Sequence, residues 1–323
     1  INEHFSMIAL TWLVLGFPLA FHKALRGPSI VWTGVKLNIK EGHVVAEIME
    51  EKMTDMKAIT QEILQSNIVA HKKLRTYVGK LEALASLLFA LRPFVQPLWA
   101  ALYTDAGQAP RNCLWTVMIS HCLLWLQVFF RECGAGPLRR VFYMNAHFNR
   151  GRRIQITTDA SPWGIGGWLS VDGVIWFFFF EAISEQDALI LKTARFSSDG
   201  QQVWECLAVL VAMRLWKEHW HNQRVLLTVK TDNVTALTLI RKLRVKGKGE
   251  AIIAQELALD VASSAFEPDV CEHTPGVQNG LADELSRIYE PGKPRPIPQE
   301  LMAAVRSFPP VRETTWWRSL SPP

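Results

Sequence analysis

The chain has 323 residues, of which 49% are apolar and 20% are charged. This length allows two or three domains, and the composition excludes a chain that is disordered throughout. A net charge of +5 is a mild indication of a polyanionic partner, because Lys and Arg release counterions from phosphates. The cysteines form no Cys-x-x-Cys pair, which excludes a zinc knuckle and predicts buried, reduced thiols in an intracellular protein, cytoplasmic or nuclear: Cys113, Cys122, Cys133, Cys206 and Cys271.

Two apolar runs, at 7–21 and 122–130, are too short or too interrupted to span a membrane. Gly16 and Pro18 break the first run, and no basic segment with an initiator Met precedes it. We therefore expect core segments, no membrane partner, and a chain that is a fragment of a longer protein.

The first 150 residues predict a mostly helical region. Residues 8–15 read as the end of a helix, and 30–37 as a strand. Apolar residues then recur every three or four positions through 44–103, which predicts helices that end at Pro93 and Pro97. Another apolar helix is expected at 114–132.

Residues 151–290 alternate between strand and helix patterns. Ile154 and Ile156 alternate with polar residues, as in a half-buried strand. Strands are expected at 153–159, 164–171, 173–180, 225–231 and 268–272, and helices at 199–219, 234–243, 250–265 and 280–289. This order predicts an α/β domain with a mixed five-stranded sheet and helices on both faces.

Four acids occupy ordered positions in this domain. Asp159 and Asp232 each end a predicted strand, whereas Glu205 lies early in a helix and Asp283 starts the last one. Carboxylates that converge at one end of a sheet repel one another unless a cation is present. Hard oxygen ligands suit Mg²⁺, and two such ions can activate a water and stabilise a leaving oxygen in phosphodiester hydrolysis.

The order strand-Asp, helix-Glu, strand-Asp, helix-Asp resembles that of ribonuclease H. The run from His273 through Pro275 and Gly276 to Ala-Asp-Glu-Leu-Ser-Arg at 282–287 is similar to the signature of the same family. The segment resembles the ribonuclease H domain that follows the reverse transcriptase in retrotransposon polyproteins, of the DIRS/Ty3-like kind. The resemblance implies a ribonuclease H-like fold, preceded by a mostly helical thumb and connection region.

The resemblance also implies a role for each acid in hydrolysing the RNA strand of an RNA–DNA hybrid. Asp159 would bridge two Mg²⁺ ions, which Mn²⁺ can replace. Glu205 and Asp232 would hold the ion nearer the leaving group, and Asp283 the ion nearer the attacking water. His273 would shuttle protons and aid product release, unless it is a loop histidine without a role.

Several further residues are candidate nucleic-acid contacts. By resemblance, Asn279 touches the nucleic-acid backbone, and Asn233 either does the same or caps a helix. A basic run provides a candidate backbone-binding surface, with a solvated loop as the alternative: Arg241, Lys242, Arg244, Lys246 and Lys248.

The N-terminal part resembles the end of a reverse-transcriptase palm. Lys23 matches a lysine near the incoming nucleotide, and Trp32 and Gly34 match a hairpin that grips the primer, with an ordinary hairpin as the alternative. No Tyr-x-Asp-Asp occurs, so this chain is not expected to polymerise DNA, and the remaining reverse-transcriptase domains are its expected partners. The predicted divisions are a palm remnant at 1–43, a thumb at 44–105, a connector at 106–150, the nuclease at 151–290 and a Pro/Arg-rich tail or linker at 291–323.

Two other functions fit parts of this sequence. A catalytically inactive remnant of a decayed element would still bind nucleic acid, but the presence of all four acids favours the enzyme. An integrase or transposase uses the same fold, but it carries three acids at other spacings and lacks the His-x-Pro-Gly run.

Overall fold

A computed structural model describes residues 2–18, 20, 22, 25–32, 34–104, 109–131, 139–144, 148, 151–220, 225–245, 247–264 and 270–322. Cys133 lies outside these ranges. Cys122 and Cys206 are buried, as predicted, whereas Cys113 and Cys271 are only half-buried. Within the described ranges, no helix has both the length and the apolar character that crossing a bilayer requires.

The strands and helices of the described residues are numbered in chain order. The strands are β1 (Ser29–Trp32), β2 (Val35–Lys40), β3 (His43–Ile48), β4 (Ile68–Ala70), β5 (Cys113–Trp115), β6 (Arg139–Tyr143), β7 (Arg152–Ala160), β8 (Gly164–Val171), β9 (Val174–Ala182), β10 (Val225–Thr231), β11 (Val270–His273) and β12 (Val305–Arg306). The helices are α1 (Asn2–Val14), α2 (Glu50–Leu64), α3 (His71–Leu87), α4 (Arg92–Ala101), α5 (Ser120–Arg131), α6 (Glu185–Leu191), α7 (Gln201–Leu215), α8 (Val234–Lys242), α9 (Lys248–Ser264) and α10 (Gly280–Ser286).

A four-stranded sheet lies in the N-terminal part, in the order β1-β2-β3-β6. Its strands are all antiparallel. Strands β1 and β2 form a hairpin around Gly34, as the resemblance and its alternative both predicted, although the apolar pattern alone indicated one strand at 30–37. The chain turns at Gly34, whose φ of 81° is accessible to glycine and rare for other residues. Such a turn divides the segment into two strands, although its residues keep the composition of one continuous strand.

Helix α4 contains both prolines that were predicted to end a helix. Pro93 lies in its first turn, where the missing backbone donor would have had no partner within the helix. Pro97 lies inside the same helix. The helix break that was predicted at these prolines therefore occurs earlier, because α3 ends at Leu87.

The main sheet has six strands, in the order β11-β10-β7-β8-β9-β12. Strands β7, β8 and β9 are antiparallel, whereas β10 runs parallel to both β7 and β11. The prediction of five strands is corrected by β12, which comes from the tail and pairs in parallel with β9. A strand of two residues carries no periodicity that a sequence pattern could reveal.

The segment at 291–323, predicted as a tail or linker, packs against the domain. Leu301 and Trp317 are buried, and so is the side chain of Arg312. The Ser307 N–H donates to the Phe178 carbonyl at 2.7 Å, which continues the pairing of β12 with the sheet edge. An edge strand covered in this way offers fewer unpaired backbone groups to other chains.

The larger of two buried hydrophobic clusters among the described residues runs from the helical region into the main sheet. Leu91 and Phe94 belong to the same buried cluster as Trp204 of α7 and Ile253 of α9. Polar contacts join the two regions as well, since Arg92 and Gln96 donate to the Lys242 and Val245 carbonyls at 3.2 and 2.7 Å. The helical region and the sheet domain therefore share one packed interior.

Candidate active site

Two of the predicted acids lie side by side because their strands run parallel. Thr157 of β7 pairs with Lys230 of β10, and Asp159 and Asp232 each follow two residues later. The carboxyl ends of neighbouring parallel strands meet at the same edge of a sheet. Because each of the two parallel strands ends beside an acid, their pairing is enough to bring these two carboxylates together.

Glycine-rich β8 allows α10 to approach the same edge. Gly166 pairs with Asp159, and a Cβ at Gly166 would lie 2.6 Å from the Leu285 Cβ. Such a distance is not compatible with a side chain, so only glycine permits this contact. The close approach places the end of α10 over the carboxylate of Asp159.

Glu205 reaches the cluster from α7, which packs on β7 and β8. Gln201, one turn earlier, donates from Nε2 both to the Ala160 carbonyl and, at 3.1 Å, to Glu205 Oε1. The amide thus ties the helix to the end of β7 and orients the carboxylate. Gln201 was not predicted, although its spacing of four residues from Glu205 places both on one helical face.

Asp159, Glu205 and Asp232, here called the acidic cluster, each offer a carboxylate oxygen within 4.8 Å of the others. Asp159 and Glu205 are 4% and 3% exposed, so little water reaches them. Glu205 Oε2 is buried and has no hydrogen-bond partner among the residues that the structure describes. An unsatisfied anionic oxygen is costly in such a place, and a hard divalent cation would satisfy it. The donor set therefore fits Mg²⁺ or Mn²⁺.

Two residues near Asp283 hold Asp159 in place. Ser286 Oγ donates to Asp159 Oδ2 at 2.7 Å, and Asn279 Nδ2 donates to Asp159 Oδ1 at 3.2 Å. Asn279 is 2% exposed and its side chain faces the acidic cluster, while its contact with the nucleic-acid backbone stays a prediction. Ser286 belongs to the Leu-Ser-Arg run that carries the resemblance, but no role was predicted for it.

Asp283 lies near the acidic cluster but is not one of its three carboxylates. Its Oδ1 accepts a bond of 2.6 Å from Arg287 Nε, one helical turn later. Its charge nevertheless contributes to raising the pKa values of Asp159 and Asp232, after the larger effect of burial. The structure thus brings three of the four predicted acids together and places the fourth beside them, paired with an arginine.

His273 is exposed at the end of β11, beside Asp232. Its Nε2 lies 3.0 Å from the Asp232 carbonyl oxygen, to which that nitrogen donates when it carries a proton. The loop that follows also passes close, since a Cβ at Gly276 would lie 3.5 Å from Asp232 Oδ2. The predicted His-x-Pro-Gly run therefore borders the acidic cluster.

The carboxyl groups hold protons more tightly than ordinary acids. Burial, with the charges of Asp232 and Asp283, raises the pKa of Asp159 to about 7, although the Ser286 hydrogen bond opposes this rise. Burial also raises the pKa of Glu205, with further contributions from Asp159 and Asp232. The pKa of Asp232 is raised for the same first reason, burial. Without a cation, three carboxylates cannot all ionise readily at this distance.

The predicted nucleic-acid residues lie in several places. Asn233 caps α8, because its Oδ1 accepts from the Thr235 and Ala236 N–H groups at 2.8 and 3.0 Å. In the basic run, Arg241, Lys242 and Lys248 are exposed, and Arg244 forms an ion pair with Glu82 of α3.

The remaining predicted contacts lie in the N-terminal hairpin or outside the described residues. Trp32 is 65% exposed and, with Gly34, belongs to the hairpin of the other sheet. Lys23 and Lys246 lie outside the described residues.

No family model and no curated protein matches this chain. Among solved structures, it is similar to three of foamy viral protease-reverse transcriptase. One is a dRH form with double-stranded DNA, at 14% identity and a TM-score of 0.30, covering 78% of this chain and 38% of that one. Another holds an RNA/DNA hybrid, at 12% identity and a TM-score of 0.32, covering 85% and 33%. A third holds double-stranded DNA, at 11% identity and a TM-score of 0.30, covering 84% and 51%.

This chain thus spans only about a third to a half of each viral protein. At such low identities and TM-scores, the similarity assigns no activity to this chain. The three neighbours are viral, so they give no support to the retrotransposon class within the resemblance. A function for the candidate site must therefore be argued from the geometry of its residues.

Proposed function

We propose that this chain hydrolyses the RNA strand of RNA–DNA hybrids in a reaction that depends on Mg²⁺. One observation carries the proposal: two parallel strands and a helix place three carboxylate oxygens within 4.8 Å of one another. The order of the acids along the chain, with Asp283 on α10 beside them, supports the same conclusion. The origin in a retrotransposon polyprotein with further reverse-transcriptase domains is part of the proposal and rests on sequence motifs.

Asp159, Glu205 and Asp232 would hold the metal, with Asp283 as a further ligand. When bound, Mg²⁺ lowers the pKa of a coordinated water and stabilises a leaving oxygen. The protein's own residues fix the carboxylates: Ser286 and Asn279 orient Asp159, and Gln201 orients Glu205. His273 is exposed, so its imidazole can exchange protons with solvent beside Asp232.

The test is cleavage of an RNA–DNA hybrid, labelled on either strand, by the full chain with Mg²⁺ or with EDTA. We expect metal-dependent cutting of the RNA strand alone. Cutting of the DNA strand, or cutting in EDTA, would contradict the proposal. Binding of the hybrid without any cutting would instead favour an inactive nucleic-acid-binding remnant.

Substituting Asp159→Asn tests the assignment of the metal site. Because even residues that only support a metal ligand commonly contribute 10- to 100-fold to affinity or activity, we expect cleavage to fall by about a hundredfold or more. Binding of the hybrid should persist, because the substitution removes a negative charge near phosphates. Asp55→Asn is the control, since Asp55 is an exposed acid paired with Lys80 on distant helices. Unchanged cleavage by the Asp159 variant would disprove the assignment.

A further inference from the structure

Phe196 combines two unfavourable features beside the acidic cluster. Its ring is 59% exposed to solvent, and its backbone is left-handed, with φ of 60°. A bulky residue rarely adopts this conformation, and residues held in it concentrate at functional sites. Because the ring is mostly exposed, packing in the core does not explain why this position carries a phenylalanine.

The loop that carries Phe196 is attached to the turn that follows Asp159. The Phe196 N–H donates to the Pro162 carbonyl at 3.2 Å, and Pro162 is three residues after Asp159. Ser161 Oγ in the same turn donates to the Ser286 carbonyl at 2.7 Å, which fixes the turn to α10. Phe196 therefore lies at the rim of the acidic cluster and not at a remote loop tip.

Two cations accompany the ring. The Arg195 guanidinium carbon lies 4.6 Å from the centre of the Phe196 ring, and Lys192 is exposed, also with a left-handed backbone. Arg195 forms an ion pair with Glu185 at 3.4 Å, but Glu185 is 92% exposed. Such a surface pair contributes little and is easily exchanged for another anion.

The other end of this loop adjoins the basic run. A Cβ at Gly249 would lie 2.7 Å from the Leu191 carbonyl oxygen, so the start of α9 touches the end of α6. Lys248 is exposed at that start. Residues 192–196 thus occupy the surface between the acidic cluster and the basic run.

We propose that residues 192–196, here called the aromatic loop, bind one strand of the nucleic acid next to the scissile phosphate. The proposal rests on the proposed function, because it takes the RNA–DNA hybrid as the ligand. Phe196 packs its ring against a nucleotide, and Lys192 and Arg195 bind the flanking phosphates. Exposed aromatic rings among cations are typical of such contacts, since every base and sugar offers an apolar surface.

The test compares Phe196→Asn with the matched variant Phe308→Asn in the full chain. Phe308 is also an exposed ring beside an arginine, Arg306, but it follows β12 at the far edge of the sheet. Affinity for a fluorescent RNA–DNA hybrid is measured by anisotropy in EDTA, where no metal-dependent cutting occurs. We expect Phe196→Asn to weaken binding about tenfold, the usual effect of losing one aromatic contact, and Phe308→Asn to leave it unchanged.

Folding is controlled within the same experiment. Asn tolerates a left-handed backbone, so Phe196→Asn should leave the thermal midpoint unchanged or raised. Phe196→Trp keeps an aromatic ring in the same backbone conformation and should retain the affinity of the unsubstituted chain. Loss of affinity in Phe196→Trp, with the fold intact, would overturn the proposal.

The salt dependence of binding separates the cations from the ring. Arg195→Gln and Lys192→Gln should each reduce the slope of log affinity against log salt concentration by about one. Phe196→Asn should lower affinity without changing that slope. A slope that no substitution in the loop alters would contradict the assignment of phosphate contacts.

The results distinguish this inference from the proposed function. If the unsubstituted chain cuts the hybrid and Phe196→Asn binds as it does, the inference fails and the proposed function stands. If the unsubstituted chain binds without cutting and Phe196→Asn binds weakly, the inference stands and the proposed function fails. Absence of binding by the unsubstituted chain overturns both.

Discussion

Protonation of Asp159 links the stability of the protein to pH and to metal. Its pKa is raised from 3.8 to about 7, mainly by burial, so the folded state holds a proton that the unfolded state has released in this range. The stabilisation from this group is complete below about pH 4 and is lost as pH rises through 7. Ionisation in the absence of a cation therefore destabilises the fold at neutral and alkaline pH.

A prediction follows for thermal unfolding with and without Mg²⁺. Protons and Mg²⁺ compete for the same oxygens, so Mg²⁺ should raise the melting temperature more at pH 8 than at pH 6. Asp159→Asn should remove most of this difference, whereas Asp55→Asn should retain it. Scanning calorimetry of the three proteins at both pH values makes the measurement. An equal shift at both pH values would show that the metal binds elsewhere.

Ser286 makes a second prediction possible at this scale. Its hydrogen bond lowers the pKa of Asp159, so Ser286→Ala should raise that pKa further. The acidic limb of the pH–rate profile should then move upward by about one pH unit, the usual effect of one bond to a charged group. Ser286 Oγ also lies 2.9 Å from the Asp283 carbonyl oxygen, one helical turn earlier. Ser263→Ala is the control, because Ser263 donates to the equivalent carbonyl, that of Asp260, but on an exposed surface. A profile reduced in height without this movement would indicate a merely structural role.

At the scale of elements, the contact between β8 and α10 decides whether the site forms. Gly166→Ala introduces a Cβ within 2.8 Å of both Leu285 and Ser286, so α10 must move away from Asp159. We expect a loss of roughly 1–3 kcal/mol in unfolding free energy, with a further loss of cleavage. Denaturant unfolding and cleavage assays measure the two effects.

Gly280→Ala provides the comparison for that substitution. Gly280 begins the same helix, and a Cβ there would meet nothing within 4 Å. Its unfolding free energy should stay the same or rise by less than about 1 kcal/mol. Equal destabilisation by both substitutions would show that the close contact between Gly166 and α10 is not the cause.

Elements with a strong local pattern were predictable from the sequence. Strand β8 was predicted at 164–171 and β10 at 225–231, and both have these bounds. Helix α6 was missed because it has only seven residues, although Ser184 and Asp187 form a capping box at its start. That pair, Ser followed three residues later by an acid, was a readable signal.

The candidate site was predictable only where chain order determines it. Asp159 and Asp232 meet because strand ends meet, and the pattern of each strand was clear. The contacts of Asn279, Ser286 and Gln201 depend on how two helices dock, which no local pattern specifies. The same holds for β12, whose place is fixed by tertiary packing of the tail.

At the scale of the whole molecule, the tail joins the sheet to the helical region. Arg312 pairs with Asp187, and also with Glu181 of β9, at the sheet edge. Further along, the Ser319 N–H donates to Glu256 of α9. The Ser319 carbonyl accepts from Trp125 Nε1 of α5 at 2.9 Å. A segment with the composition of a linker therefore connects three parts of the shared core.

The last prediction tests this role of the tail. Asp187 is fully buried, so Arg312→Met leaves its charge without the arginine that compensates it. Removing one partner of such a pair should lower the free energy of unfolding by roughly 3–5 kcal/mol. Arg318→Met is the control: its guanidinium is 43% exposed, and its partner Asp260 also pairs with Arg214, so its loss should cost at most about 1 kcal/mol.

Because the sheet and the helices share one core, the loss in Arg312→Met should be seen in the whole chain. Urea unfolding followed by far-ultraviolet circular dichroism and by tryptophan fluorescence should give coincident transitions that move together. Two separated transitions, with only the one reported by the sheet displaced, would show that the tail stabilises the nuclease part alone. In that case residues 151–322 would form an independent unit, and the cleavage assay could be made on that shorter chain.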